Sequence, residues 1–575
     1  MYMVFVFEKN IKINNRTYTY VCLGHNKRVN GETKRIWEVN LCRKDQIEEN
    51  LPLIKRKLSR GLPQPKEFAF GLVHGLFSIA KELNLMEIIN ANVFKRDQGS
   101  SVGKYITLLA INRAVALNSK RQVQKWFNKT ALSRVFAEFS TSLSPQNICD
   151  HMEYLDQESI RTIEEHLSRE LVFKFGISSE CFLFDPTNFF TYIRDYKKNT
   201  IAQRGYNKKK RTELRQICTS LLVTRDDYNI PIMHETYEGN VPDATHFNLV
   251  LPRIEQRFKS MGIELPKITL VFDKGNNSAD IYKFLDSKRI HFVSSVRPSM
   301  TISKKLLEVP LSHYEVLWTK ENGRKVFGYR STTNAHVGEN KENTLIVTFD
   351  EDTYALQEHH LDERIAKATT QLAVFINDKL NAKPQWKDPK KVAAKIHRDI
   401  LKTKELRSIV VVSISPNPAS SASELECTWR IDDAAKQEYS KKLGKSLVFS
   451  NRNEWSTMEI VKAYRAQVGV EQQFKELNKR DRISVMPIYH RTDANIRVHA
   501  FVSVLALLLS NLLYRKIQLA SIDCSKEECF EALKDIKEIH LYYDDEGSPD
   551  VVLTQMSALQ RKLFKSLKLE RFANK

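Results

Sequence analysis

CFLFDPTNFF, residues 181–190, decides how this chain is read. Four mostly apolar residues run straight into an acid, Asp185. Pro186, Thr187 and Asn188 follow, and residues of these types are expected to end a strand. ITLVFDKGNN, residues 268–277, repeats the arrangement, with an apolar run into Asp273 and then a Gly/Asn turn. A lone carboxylate at a buried strand end is costly to desolvate. Two that converge repel each other unless a cation stands between them. Each acid alone reads first as a strand-end cap or turn residue, since Asp before Pro or Gly is common in turns. The twinned pattern is what points to a shared site.

The wider sequence bounds the class. At about 150 residues per domain, 575 residues suggest three or four domains. Apolar residues make up 42% of the chain, enough for large cores and unlike a disordered protein. The net charge of +21 favours a polyanionic partner, most often nucleic acid. Eight cysteines are scattered without a CxxC pair, so a reduced, intracellular chain is expected. MYMVFVFEKN at the start lacks a signal-peptide pattern. The most apolar stretch, Val498 to Leu513, is interrupted by His499, Ser503, Ser510 and Asn511. It falls short of the ~20 apolar residues of a membrane span, so it is read as a buried core helix and no membrane partner is expected.

Along the chain, residues 1–60 read as a small β-rich module, with a hairpin at IKINNRTYTYVCLG. Residues 61–150 read as a helical DNA-binding region, starting near Gln64. Within it SKRQVQKWF offers a capping box, Ser119 with Gln122. Its bases either face DNA or form the solvated side of an ordinary amphipathic helix. CFLFD, QICTSLLVT and IPIMHETYE then read as three strands, DATHFNLVLPRIEQRF as a helix, and ITLVFD as the next strand. That order lets the last strand return parallel to the first, placing the two acids side by side. Residues 291–450 read as a mostly β insertion interrupted by one charged helix. Residues 451–520 return to helix with a capping box at Ser456 and Glu459, and 521–575 read as a helical C-terminal region.

A phosphoryl-transfer site built on two metal ions usually needs a third acid. Glu471 is the candidate. In YRAQVGVEQQFKELN, residues 464–478, Tyr464, Gln467, Glu471 and Asn478 recur at helical spacing on one face.

At this point the residues carry a resemblance. The chain resembles a DDE-type insertion-sequence transposase of the IS-four-like group, which has a Tyr-Arg-Glu-Lys signature around the last acid. LFDPTNFF resembles the first-Asp segment and VFDKGNNS the second. KKKRTELRQICTSLLVTRDDYNIPIMHETYEGNVPDATHF resembles a block with a basic residue, a Gln, and Gly-Asn followed by Asp: here Arg211, Gln216, Gly239, Asn240 and Asp243. LVFSNRNEWSTMEIVKAYRAQVGVEQQFKEL resembles the signature region, and MPIYHRTDANIRVHAFVSVLALLL its tail.

The resemblance implies an α/β fold, with an RNase H-like core in two parts, 178–290 and 451–520, split by the insertion. It implies that Asp185, Asp273 and Glu471 are catalytic and hold two Mg²⁺ ions, with Mn²⁺ able to substitute. Tyr464 aligns with a residue that contacts phosphates of the transposon end. Gln467 and Asn478 stand where the family has Arg and Lys, and Lys475 and Lys479 are near enough to compensate. Arg211 is a further expected DNA contact, while His490 and Arg491 either touch the scissile phosphate, support residues that do, or sit on the surface. His359 and His360 are adjacent, cannot form a zinc pair on one helix face, and are read as solvated. The implied reaction is cleavage of double-stranded DNA at terminal inverted repeats and strand transfer into target DNA. A homodimer holding two ends, in the cytoplasm of a bacterium and on its nucleoid, is the expected setting. The alternatives are another RNase H-like nuclease, a transposase-derived DNA-binding protein that no longer cuts, and, remotely, a glycosidase.

Overall fold

The structure is a computed structural model. It describes residues 4–13, 16–29, 32–47, 64–96, 98–177, 179–193, 200–207, 211–296, 307–333, 342–417, 424–479, 483–543 and 548–573. The basic run Lys208–Lys210 lies outside the described residues.

The principal elements follow in chain order. Strands β1 (Val4–Ile13), β2 (Arg16–Val29), β3 (Glu32–Arg43) and β4 (Gln64–Ala69) come first. Helices α1 (Gly71–Glu82), α2 (Val102–Val115), α3 (Lys120–Phe127) and α4 (Gln157–Phe175) lead to β5 (Cys181–Thr191), β6 (Arg215–Thr224) and β7 (Pro231–Glu238). Helix α5 (Asp243–Ser260) precedes β8 (Thr269–Phe272), β9 (His291–Ser295), β10 (Glu315–Thr319), β11 (Lys325–Thr333) and β12 (Asn343–Asp350). Then come α6 (Glu351–Asp378), β13 (Val410–Pro416), β14 (Leu425–Ile431), β15 (Lys445–Ser450), α7 (Thr457–Arg465) and α8 (Val468–Asn478). Helices α9 (Asp493–Leu519) and α10 (Lys526–Lys534), with strands β16 (Lys537–Tyr542) and β17 (Asp550–Leu553), complete the set.

The chain forms two compact units, one of Met1–Leu265 with Val468–Lys575 and one of Pro266–Gln467. In the first, β1, β2 and β3 form an antiparallel sheet that includes the expected hairpin. Leu23, Trp37 and Leu41 of that sheet pack on Ile539 and Leu541 of β16. β5, β6 and β7 form an antiparallel meander. Helix α9 is the core of this unit: residues Ile496 to Leu513 are nearly all buried, against α1, α2 and β7. It is long and apolar enough to cross a membrane, but 94% of its most apolar window is buried inside the protein. Each buried Leu or Val contributes about 1.5–3 kcal/mol, so burial here is a main source of the unit's stability.

In the second unit the strands run β10-β11-β12-β15-β9-β8. β8 and β9 are parallel and the other pairs antiparallel, which makes the sheet mixed. Helix α7 lies across it. Strands from the expected insertion, β9 first among them, thus continue the ladder of β8 instead of forming a sheet of their own, except for the hairpin β13–β14. The insertion is also less β-rich than expected. Its 28-residue helix α6 anchors a separate core of Leu361, Ile365, Leu372, Phe375 and Ile409.

Four further expectations need correction. The helical region does not begin at Gln64, because Gln64–Ala69 is β4, paired antiparallel with β16. The C-terminal region is not wholly helical, since Lys537–Tyr542 and Asp550–Leu553 are strands. Nor is the chain wholly reduced. Cys524 and Cys529 are joined, the first turn of α10 having brought their Cα atoms to 6.1 Å, within disulfide range. Of the two expected capping boxes, Ser456–Glu459 forms, while Ser119 makes no side-chain cap bond.

Candidate active site

Asp185 does not end its strand. β5 continues through Pro186 to Thr191, and Asp185 lies opposite Leu221 of β6. Proline is tolerated because its missing N–H is not needed on the β6 side. Ser220 lies opposite Pro186. Gln216 and Thr224, in the same register, send their own N–H groups away from β5, to Gln203 and Ile230. Pro186 therefore falls at a non-hydrogen-bonded pair. Alternation assigns the faces. Phe182 and Phe184 pack on Phe258 and Phe247 of α5, with ring centroids 4.7 and 4.4 Å apart. Asp185 belongs to the opposite face.

That opposite face is covered by α8 and α9. Leu221 lies between Asp185 and His234 in the ladder, and the His234 ring stacks on Phe501 of α9. Helix α8 packs on β5, β6 and α9. Val470, Gln473, Phe474 and Leu477 form its buried side, with the Asn511 Nδ2 of α9 donating to Gln473 Oε1 at 2.9 Å. Glu471 sits on the exposed side of this helix. Asp185 and Glu471 are thus carried by elements that pack directly on each other in the first unit.

The expected single helical face does not exist. The helix breaks at Ala466 and Gln467, so Tyr464 lies in the last turn of α7 and Glu471 in the first turn of α8. Gln467 N donates to Tyr464 O, a tightened last turn, and Gln467 is buried. Gly469 is needed just beyond the break, because a Cβ there would stand 2.1 Å from Asn229 Oδ1. Asn478 is exposed and donates to Phe474 O at 2.9 Å, within its own helix. Lys475 is exposed, and Lys479 pairs with Glu476 at 3.0 Å.

Asp273 belongs to the second unit and does follow a strand end, immediately after β8. Its Oδ1 accepts two hydroxyl hydrogen bonds, from Ser295 Oγ at 2.9 Å and Tyr464 Oη at 3.1 Å. Ser295 Oγ in turn accepts from Lys274 N at 3.1 Å. Ser294 Oγ donates to Asn277 Oδ1, and Asn277 Nδ2 donates to Ser295 O. The DKGNN turn is therefore pinned by the paired serines at the end of β9. Sequence reasoning missed these serines; the only signal is a polar pair closing the apolar strand HFVSS.

The three acids supply only carboxylate oxygens, a donor set that suits a hard divalent cation. Among the described residues no three His, Cys, Asp or Glu side chains stand grouped as a ready metal cluster.

Residues 179–509, more than half of the chain, match the family model of the transposase DDE domain. The chain belongs to this family. A piggyBac transposase synaptic complex with hairpin DNA, solved by cryo-EM, is similar over 82% of each chain, with 10% identity and a TM-score of 0.37. No curated protein matches. Transposases of the DDE family generally use divalent metals.

The other expected residues of this transposase separate into two groups. The Gln216 and Gly239 of the family block meet: Gln216 Nε2 donates to Gly239 O at 2.7 Å and to Tyr206 O at 3.1 Å. A Cβ on Gly239 would stand 1.9 Å from Gln216 O, and one on Gly205 would stand 2.3 Å from Gly239 O. This part of the block is close backbone packing at the end of the β6–β7 hairpin. Arg211 is exposed and paired with Glu213. Asp243 opens α5. His490 faces Lys120 of α3, its Nε2 2.6 Å from Lys120 Nζ, while Arg491 is exposed. His359 and His360 are exposed, as expected.

Proposed function

We propose that the chain is a DNA transposase that cleaves double-stranded DNA at the terminal inverted repeats of its element and transfers the freed ends into target DNA. The observation that carries this reading is the DDE-domain match, which spans Asp185, Asp273 and Glu471 together. An RNase H-like core is the proposed frame, supported by the β5–β6–β7 meander, helix α5 and the parallel pair β8–β9.

Asp185, Asp273 and Glu471 would hold magnesium, with manganese as a substitute. The bound ions would activate the attacking hydroxyl and neutralise charge on the phosphate and leaving oxygen. The protein's own part is positioning. Ser295 and Tyr464 hold Asp273 Oδ1 in one orientation. Water attacks the end phosphodiester, a new P–O bond forms, and the bond to the 3′ oxygen breaks. The released 3′-hydroxyl then attacks the next phosphodiester in the same way. Lys475, exposed on the Glu471 helix, and Arg491 are the proposed backbone contacts. Two ends must be handled together, so a homodimer on DNA is proposed, acting in the bacterial cytoplasm.

The test is nicking of a duplex carrying the element's own terminal repeat, in Mg²⁺, by wild type and by Asp185→Asn, Asp273→Asn and Glu471→Gln. The expected outcome is nicking at the repeat by wild type only, with duplex binding kept by all four. Binding by wild type without any cutting in Mg²⁺ or Mn²⁺ would instead make the chain a transposase-derived DNA-binding protein.

A further inference from the structure

Four basic side chains meet inside the first unit, and of these only His490 has been considered as a DNA contact. Lys120 opens α3, Arg113 lies in the last turn of α2, His499 is on α9, and His490 lies in the segment before it. Lys120 Nζ stands 2.6 Å from His490 Nε2. Arg113 Nη2 is 3.4 Å from His499 Nδ1, and the two imidazole rings are 5.3 Å apart. His499 Nε2 lies 2.8 Å from the carbonyl of Val485, which fixes that ring.

The charges do not balance. Lys120 and Arg113 are both partly buried, and among the described residues neither pairs with a carboxylate. Two cations held together out of water require an anion, or they depress each other's charge. The second effect is visible on Lys120. Burial first, and Arg113 after it, bring Lys120 down to about 8, with only the Cys149 thiol acting the other way. Burial brings Arg113 down to about 10. Burial, Lys120 and Arg113 bring His490 down to about 3, so the ring is neutral and accepts from the ammonium through Nε2. An ammonium has three N–H donors, and His490 takes one.

We propose that Lys120 and Arg113, positioned by His490 and His499, bind a backbone phosphate of duplex DNA that is held and not cut. This rests on the DNA-transposase reading. Two features favour a DNA phosphate over a free one. Arg121 and Lys125 are exposed on the same helix as Lys120, and Arg491, next to His490, is exposed. The cluster is therefore continuous with solvent-facing bases, and α3 carries no acid. The helix that sequence alone left between a DNA-facing and a solvated role thus takes the DNA-facing one through its first residue.

Two measurements on full-length protein test this. The first is the salt dependence of binding to a random-sequence duplex, for wild type, Lys120→Gln and Lys120→Arg. One lost phosphate contact lowers the slope of log K against log salt by about one unit. Lys120→Gln should show that loss with every duplex, and Lys120→Arg should keep the wild-type slope. The second needs no variant: acetylation of wild-type lysines, read by mass spectrometry, should find Lys120 shielded when duplex is present. An unchanged slope in Lys120→Gln, or equal acetylation of Lys120 with and without duplex, overturns the proposal. Shielding by inorganic phosphate but not by duplex overturns it too, assigning the site to a free anion. Both readouts are of binding. Wild type that binds and never cuts therefore sinks the catalytic reading and leaves this one standing, whereas cutting with an unchanged Lys120→Gln slope sinks this one alone.

Discussion

Asp273 accepts both of its described hydroxyl hydrogen bonds on one oxygen, and this recasts the role of Tyr464. The resemblance makes Tyr464 a phosphate contact, but its hydroxyl here donates to Asp273. A hydrogen bond to a charged group contributes about 1.5–3 kcal/mol. Tyr464→Phe should therefore cut end-cleavage by about tenfold or more at limiting Mg²⁺, with recovery at high Mg²⁺ and duplex binding unchanged. Lost binding with an unaltered metal requirement would return Tyr464 to the phosphate. At this scale the two aspartates could be singled out in the sequence only as a pair, because an acid after an apolar run occurs twice. Ser295 was not. A serine at a strand end has many ordinary uses, and only the fold shows that its hydroxyl reaches Asp273.

Elements show where local rules were overridden. Asp-Pro-Thr in β5 reads as a stop, yet the strand continues because Pro186 falls at a pair that needs no N–H from it. Register decides this, and register depends on which strand is the partner. The periodicity from Tyr464 to Asn478 suited one helix, yet the chain breaks at Ala466 and Gln467. Nothing in the spacing shows the break, since neither residue is a Pro or Gly and Gly469 comes after it. The Gln-and-Gly block is the reverse case. Its resemblance was legible, while its use, backbone packed on backbone at Gly239, was not. Gly239→Ala should destabilise the first unit by about 1–3 kcal/mol, the usual cost of forcing atoms into a packed site. A urea midpoint lowered at constant m would show it. A midpoint equal to wild type would mean that the hairpin end yields freely.

For the whole molecule, buried neutral histidines set the acid limit. Burial lowers His74 and His246 to about 4, and burial with two nearby cations lowers His490 to about 3. Their ordinary value is 6.5, so the unfolded chain takes up protons first as pH falls. The stability these residues contribute is complete above pH 6.5 and is lost as pH falls through 4 and then 3. At about 1.4 kcal/mol per unit, a few kcal/mol for each such histidine should be gone by pH 4. The unfolding free energy measured from pH 7 to pH 4 should decline, with His246→Gln showing a shallower decline than wild type. Pairings such as β4 with β16, which join distant parts of the chain, leave no mark on local sequence, and this is why the start of the helical region and the C-terminal region were misread.

The central claim is that Asp185, Asp273 and Glu471 serve one metal centre. Iron(II) in place of magnesium, with ascorbate and peroxide, generates radicals at the bound ion and cuts the polypeptide nearby. In the presence of terminal-repeat duplex, wild type should be cut around all three acids, and Glu471→Gln should lose the three cuts together. Cuts at one acid alone, or at positions unrelated to any of them, would contradict a shared centre.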